Sequence, residues 1–124
     1  MNNWEKTLID SSESVENAIK TLSTCGMRIV LVVNQEKELL GTITDGDIRR
    51  ALLNNVSLNS LVINVMNINP KIASVSENRD DLLLMMRNED ILHVPIVDDM
   101  KRVAGLEIMQ HFVEKKKFDN IIFL

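Results

Sequence analysis

The stretch Thr44-Asp45-Gly46-Asp47 carries residue types and spacing that could do chemistry. Leu39 to Thr44 reads as a strand and Asp45 to Leu53 as the helix after it, so Thr44 stands at the junction. Asp47 then falls in the first helical turn. First-turn N–H groups have no intrahelical partners, and the helix dipole favours an anion there. A phosphate beside Thr44 would meet those donors and a hydroxyl. Asp47, acceptor-only when ionised, offers two oxygens that suit the adjacent hydroxyls of a ribose. Gly46 has no Cβ and lets the backbone come close to a ligand. The spacing has a second reading: Thr-x-x-Asp is an acidic form of the capping box, which satisfies orphan N–H groups without any ligand. The two readings are compatible.

Other chemistry is poorly represented. Asp45 and Asp47 alone do not make an oxygen cage for a metal. His93 and His111 lie far apart in sequence with no Cys or Glu at ligand spacing, which argues against zinc. Cys25 is the one cysteine and sits beside Gly26 at a helix end, where a thiolate is disfavoured. There is no Gly-x-Ser-x-Gly elbow, phosphate-binding Walker loop or plausible catalytic triad. The chain therefore reads as a module that is not an enzyme by itself and requires no cofactor or metal.

Composition narrows the partners. The 124 residues hold 14 Lys+Arg against 18 Asp+Glu, a formal net charge of −4. Nucleic acid would call for a basic face and stacking aromatics, but there are one Trp, three Phe and no Tyr. No apolar run approaches the ~20 residues of a membrane span. The opening Met1 to Glu5 lacks the features of a signal peptide, and one cysteine fits a reducing compartment. The expectation is a cytoplasmic protein that binds neither nucleic acid nor membrane.

The elements that must position Thr44 and Asp47 occur twice. A shift of 64 residues aligns the two halves without a gap, placing Ser12-Glu13 on Ser76-Glu77, Val30 on Val94, Val33 on Val97, Lys37 on Lys101 and Gly41 on Gly105. In the first half, Thr7 to Ile9 is extended. Ser12 or Ser14 caps a helix with Val15, Ala18, Ile19 and Leu22 on one face, and Gly26 ends it. Ile29 to Val33 has the apolar continuity of a strand buried on both faces. Asn34 to Glu38 is a turn, and the Leu39–Thr44 strand and its helix follow. In the second half, Lys71 to Val75 is extended, Asn78 to Glu89 helical, and Leu92 to Val97 and Val103 to Leu106 are strands. Glu107 to Lys116 reads as the last helix. Residues 54 to 69 form a polar linker with one or two helical turns. Pro95 cannot donate to a ladder and is tolerable only if its nitrogen faces an edge or a cleft.

The doubled unit, the segment Leu40 to Arg50 (Leu-Gly-Thr-Ile-Thr-Asp-Gly-Asp-Ile-Arg-Arg) and Val65-Met66-Asn67-Ile68-Asn69-Pro70 together resemble a tandem pair of CBS (cystathionine-β-synthase) domains. The resemblance covers residues 4 to 117. It implies an α/β (α+β) fold of two pseudo-twofold-related β-α-β-β-α repeats packed through their sheets, with repeat 1 over 1–62 and repeat 2 over 63–117. It also implies a regulatory module that senses an adenine nucleotide such as AMP, ADP or ATP, with Thr44 at the phosphate and Asp47 at the ribose. Carried over by position, Asp45, Gly46, Asn67, Lys71, Ile91, Leu92 and His93 complete that cleft. A second, degenerate cleft would be lined by Thr7, Met27, Arg28, Ile29, Ile108 and His111, because Ile108 and His111 stand where Thr44 and Asp47 stand in the first repeat.

The motif is similar to those of CBS pairs attached to sugar-phosphate isomerases and sugar nucleotidyltransferases, and the opening Trp4 to Ile9 looks more like the latter. Phe118 to Leu124 resembles the first strand of a nucleotidyltransferase domain, so the expectation is a regulatory fragment of a longer enzyme. Family members stack their helices, which implies a homodimer. A ligand-free dimerisation module, or a sensor of a sugar phosphate or nucleotide-sugar, remains as an alternative.

Overall fold

Ile29 to Val33 is buried at every residue, and this continuous β-branched and leucine run is the middle strand of the first of two sheets. The computed structural model describes residues 3–109. Within them lie β1 (Leu8–Asp10), α1 (Val15–Cys25), β2 (Ile29–Val33), β3 (Leu39–Thr44) and α2 (Asp45–Leu53). The second repeat gives β4 (Ala73–Ser74), α3 (Arg79–Glu89), β5 (His93–Val97) and β6 (Val103–Ile108). Each sheet has three strands, β1-β2-β3 and β4-β5-β6, with the first pair parallel and the second antiparallel. The expected mixed α/β class and the duplicated order of elements are therefore present.

The duplication extends to the register. Ile29 pairs with Thr44, and 64 residues later His93 pairs with Ile108. A register shift falls between Val32 and Val33 and again between Ile96 and Val97. Helix α1 starts on Ser14, whose hydroxyl accepts from Asn17 N–H at 3.2 Å, and ends on Gly26 at φ 74°. Helix α3 starts on Asn78 and ends on Asp90, the residue matching Gly26, at φ 58°.

Three apolar clusters hold these layers. The first packs β2 and β3 against α1 and α2 through Val15, Ala18, Val30, Val32, Ile43 and Ile48, with Val62 of the linker. The last packs Ala73 and Val94 against Leu82 and Met86 of α3, with Met109. Between them Ile29, Leu31 and Leu39 of the first sheet meet Val97 and Leu106 of the second, so the repeats join through their sheets.

Two expected boundaries move. The Thr7–Ile9 segment opens as a 3-10 turn over Trp4–Thr7, and the strand begins at Leu8. Glu107 and Ile108, expected to begin a helix, continue β6 because they pair with Val94 and His93, and Met109 N–H adds a bond to the Leu92 carbonyl at 2.9 Å. Ladder pairing thus overrides the local polar-apolar pattern. Glu107 also holds Arg79, at the start of α3, through two bonds of 2.9 and 3.2 Å. The rest of that expected helix, His111 and the 118–124 segment lie outside the described residues.

The linker is strapped to the first repeat. It contains a single 3-10 turn, Val62–Asn64, among the described residues. Carbonyls of Ser60 and Leu58 take the N–H groups of Val15 and Glu16 at 2.8 and 3.0 Å, satisfying orphan donors of α1. Asn67 exchanges two backbone bonds with Thr42, at 2.8 and 3.0 Å, beside Gly41. A Cβ on Gly41 would stand 2.7 Å from Met66 Sδ and 2.8 Å from the Asn67 carbonyl oxygen, so this crossing needs glycine.

Candidate functional site

Thr44 is placed by two constraints: the pairing with Ile29 at the end of β3 and its role as the residue before α2. Its backbone N–H donates to Asp47 Oδ2 at 2.9 Å and its hydroxyl donates to the same oxygen at 3.1 Å. The capping-box arrangement is therefore made. The other oxygen, Asp47 Oδ1, takes an ion pair from Arg50, and the Asp47 side chain is only 11% exposed. Both carboxylate oxygens are engaged within the first turn of the helix.

Beside Thr44 lies a pocket of about 320 Å³ lined by Ile29, Thr42, Thr44, Asn67, Pro70, Lys71, Ile91, Leu92, His93 and Pro95. Three of these come from the first sheet, three from the linker and its exit, and four from the stretch leading into β5. Of the expected residues, Thr44, Asn67, Lys71, Ile91, Leu92 and His93 come together here. Asp45, Gly46 and Asp47 do not line it. Asp47 turns back onto Thr44 and borders a separate hollow with Arg50, Ala51, Asn54, Val56, Asn64 and Val65. The spot above Gly46 is taken by Arg50, whose guanidinium would lie 3.5 Å from a Cβ there.

Four lining residues were missed by position-matching. Ile29 was assigned to the opposite cleft, yet antiparallel pairing sets it against Thr44, in this pocket. Thr42 and Pro95 lie two residues from Thr44 and His93 along their strands, on the same face, so strand alternation carries that signal. Pro95 does face a cleft. The β4–β5 ladder starts only at Ala73 opposite Ile96, whereas its counterpart starts one position earlier at Leu8 opposite Leu31. Proline cannot supply the missing donor.

The pocket's polar groups are few. His93 Nε2–H donates to the Met27 carbonyl oxygen at 2.7 Å, joining the two repeats. Burial pushes the His93 pKa below its ordinary value; the Met27 bond opposes this, and nearby Arg28 adds to it. The ring is therefore neutral at pH 7. Lys71 Nζ lies 3.3 Å from Glu89 Oε1.

Of the residues expected to line a second cleft, His111 lies outside the described residues, and the others are placed individually. Thr7 is fully buried and its hydroxyl donates to the Trp4 carbonyl at 2.6 Å. Trp4, Leu8, Met27 and Ile108 pack on the cluster between the sheets, and Arg28 is exposed at φ 62°. Among the described residues no group of three or more His, Cys, Asp and Glu could hold a metal ion.

The family model described as "CBS domain" matches residues 7–54. In fold, the chain superposes on the CBS domain pair of the protein MJ0100 with a TM-score of 0.73 and 27% identity, covering 90% of this chain and 88% of that one. The chain is a CBS domain pair. That structure was solved with 5-methylthioadenosine and S-adenosyl-L-methionine. A CBS domain protein from Pyrobaculum aerophilum, complexed with AMP, has a TM-score of 0.72 at 14% identity, covering 89% of this chain and 88% of that one. The cytosolic domain of the Mg2+ channel MgtE, in complex with ATP, has a TM-score of 0.70 at 17% identity, covering 87% of this chain and 44% of that one.

Curated relatives of this CBS pair are longer. An uncharacterized protein of Helicobacter pylori is 34% identical over 111 residues, which is 86% of this chain and 33% of that protein. The arabinose 5-phosphate isomerase GutQ of Escherichia coli is 27% identical over 101 residues, 82% of this chain and 32% of the isomerase. The chain spans about a third of the length of the curated relatives it matches. No described helix is long and apolar enough to cross a membrane.

Proposed function

We propose that this CBS pair is a regulatory module that binds an adenine nucleotide or a close relative between its repeats and controls an attached or partner enzyme. The observation that carries this reading is the pocket lined by both repeats and by the linker between them. Ile29, Ile91, Leu92 and Pro95 offer apolar faces for a base. Thr42, Thr44, Asn67 and Lys71 offer donors for a sugar and a phosphate. Similar pairs were solved with AMP, ATP or S-adenosyl-L-methionine, which supports a ligand of this class. A ligand that touches both repeats favours one relative arrangement, and that differential affinity is what an attached domain can read.

In this proposal the module itself is not catalytic, and Thr44 has two roles, as helix cap and as ligand donor. Asp47 acts by fixing Thr44 unless Arg50 swings away from it. The enzyme controlled is of sugar metabolism: the opening Trp4 to Ile9 favours a nucleotidyltransferase, whereas the relative GutQ favours a sugar-phosphate isomerase. A ligand-free dimerisation module has an observation in its favour as well, since Leu52 and Leu53 end α2 at 49% and 76% exposure.

Titration calorimetry of the chain against AMP, ADP, ATP, S-adenosyl-L-methionine and arabinose 5-phosphate separates these readings. Saturable binding of an adenine ligand near one per chain, weakened by Thr44→Val and by Leu92→Asp, is the expected result. Binding of the sugar phosphate alone would replace the adenine reading, and no binding at high protein concentration would favour the dimerisation module.

A further inference from the structure

The pocket holds one fully charged side chain, and that charge is already engaged. Among the described lining residues Lys71 is the only Lys, Arg, Asp or Glu, and burial pushes the His93 pKa down. Its ammonium meets Glu89, the last residue of α3, where the helix dipole adds negative potential. Of the neighbouring cations, Arg50 and Arg28, one is balanced as well. Arg50 is paired with Asp47, and Asp45 puts a second carboxylate on the same turn. Arg28 is exposed and near enough to act on His93. Two of these three cations thus have a carboxylate partner, in a chain of net charge −4. The volume, about 320 Å³, lies near the small end of the ~300–1,000 Å³ usual for ligand sites.

We infer that Glu89, by holding Lys71, sets the charge this site accepts and selects adenine ligands with one phosphate or none over di- and triphosphates. The inference rests on the adenine reading given above. Lys71 has three N–H donors, so it can serve one phosphate while keeping Glu89. Further phosphates bring two or more charges toward Glu89 and find, beyond the paired Lys71 and Arg50, only the exposed Arg28 on the His93 side, and like-charge juxtaposition is how a site rejects a near relative of its ligand. Glu89 does not need to touch the ligand; it acts through Lys71 as a specificity-setting residue.

The test is calorimetry of the full chain with adenosine, AMP, ADP and ATP, free of magnesium and at one ionic strength, for the parent chain, Glu89→Gln and Lys71→Met. The parent should bind adenosine and AMP at least about tenfold more tightly than ATP. Glu89→Gln should leave adenosine unchanged and narrow the AMP–ATP gap about threefold or more, as expected for a partly screened surface charge. Lys71→Met should remove any advantage of AMP over adenosine. Equal parental affinity for AMP and ATP, or an unchanged gap in Glu89→Gln, would overturn the charge rule while leaving the adenine reading intact. Failure of all four ligands to bind would overturn both.

Discussion

Lys37 and Lys101 occupy the same turn position in the two repeats and clasp one another's hairpins: Leu39 N–H donates to the Lys101 carbonyl at 2.9 Å, and Val103 N–H donates to the Lys37 carbonyl at 3.0 Å. Both residues sit in the left-handed region, at φ 67° and 65°. The pairing of Glu38 with Arg102 as a cross-repeat bridge continues the clasp. These bonds join the repeats at one end, while His93 and Met27 join them beside the pocket. Lys37→Pro should break the clasp, because proline fixes φ near −65° and removes the N–H that donates to Asn34. A loss of ~3 kcal/mol or more is expected in urea unfolding, whereas Lys37→Gly, which relieves the left-handed strain, should be neutral or gain up to ~1 kcal/mol.

The matched helix ends give a pair of opposite predictions. Nothing lies within 4 Å of a Cβ built on Gly26, so Gly26→Ala tests backbone strain alone. It should lose ~1 kcal/mol. Asp90, exposed and at φ 58°, carries the same strain in the second repeat. Asp90→Gly should gain up to ~0.5–1 kcal/mol in the same measurement, net of the entropy glycine adds to the unfolded chain.

The linker crossing predicts a second contrast. Gly41→Ala must displace a backbone carbonyl, that of Asn67, as well as the Met66 side chain. It should cost ~1–3 kcal/mol and weaken any ligand that uses Asn67. Gly105 holds the same position in the other repeat, where the nearest atoms to an added Cβ are 3.6 and 3.7 Å away on Ile96. Gly105→Ala should change stability by less than ~0.5 kcal/mol.

Stability should depend on His93 across mildly acidic pH. Its folded pKa lies below the unfolded value near ~6.5, because of burial first. Between those two values the unfolded chain binds more protons, so stability falls as pH drops through the window, and the His93 contribution is flat above it. Urea unfolding at pH 5, 6, 7 and 8 should show this slope, flattened in His93→Gln. Hydrogen bonds from Ser12 to Asp10, and from Arg102 and Met100 to Asp98, lower those carboxyl pKa values. Their stabilisation is lost only at more acidic pH, so it does not blur the His93 window.

Asp47→Ala should lower stability by ~1–2 kcal/mol without any ligand present, as for loss of a helix cap. Thermal unfolding of the ligand-free chain reads this directly, and an unchanged midpoint would contradict the capping geometry at Thr44.

Elements with a strong local signature were legible in the sequence. Ile29 to Val33 has a continuous apolar run, Gly26 a helix stop, and the Asn34–Glu38 and Asp98–Arg102 turns lie between strand patterns. Thr44, Asn67, Lys71 and Ile91 to His93, carried over by position from the resemblance to CBS pairs, line one pocket. What failed depended on side-chain direction and register. Asp47 has the right spacing for a ligand contact and for a cap, and only the geometry shows both oxygens turned to Thr44 and Arg50. Ile29, expected in the other cleft, lines the pocket beside Thr44 because hairpin register, unlike periodicity, is set between strands. Glu107 and Ile108 look helical in isolation and become strand through Val94 and His93.

The carbonyls of Leu58 and Ser60 that finish α1 come from the connection between the repeats, and Asn67 closes the edge of β3. During synthesis, then, the first repeat cannot complete its own hydrogen bonding when α2 leaves the ribosome. It must wait for the residues up to Asn67, and a chain cut at the end of α2 would be left with a helix start and a strand edge facing water.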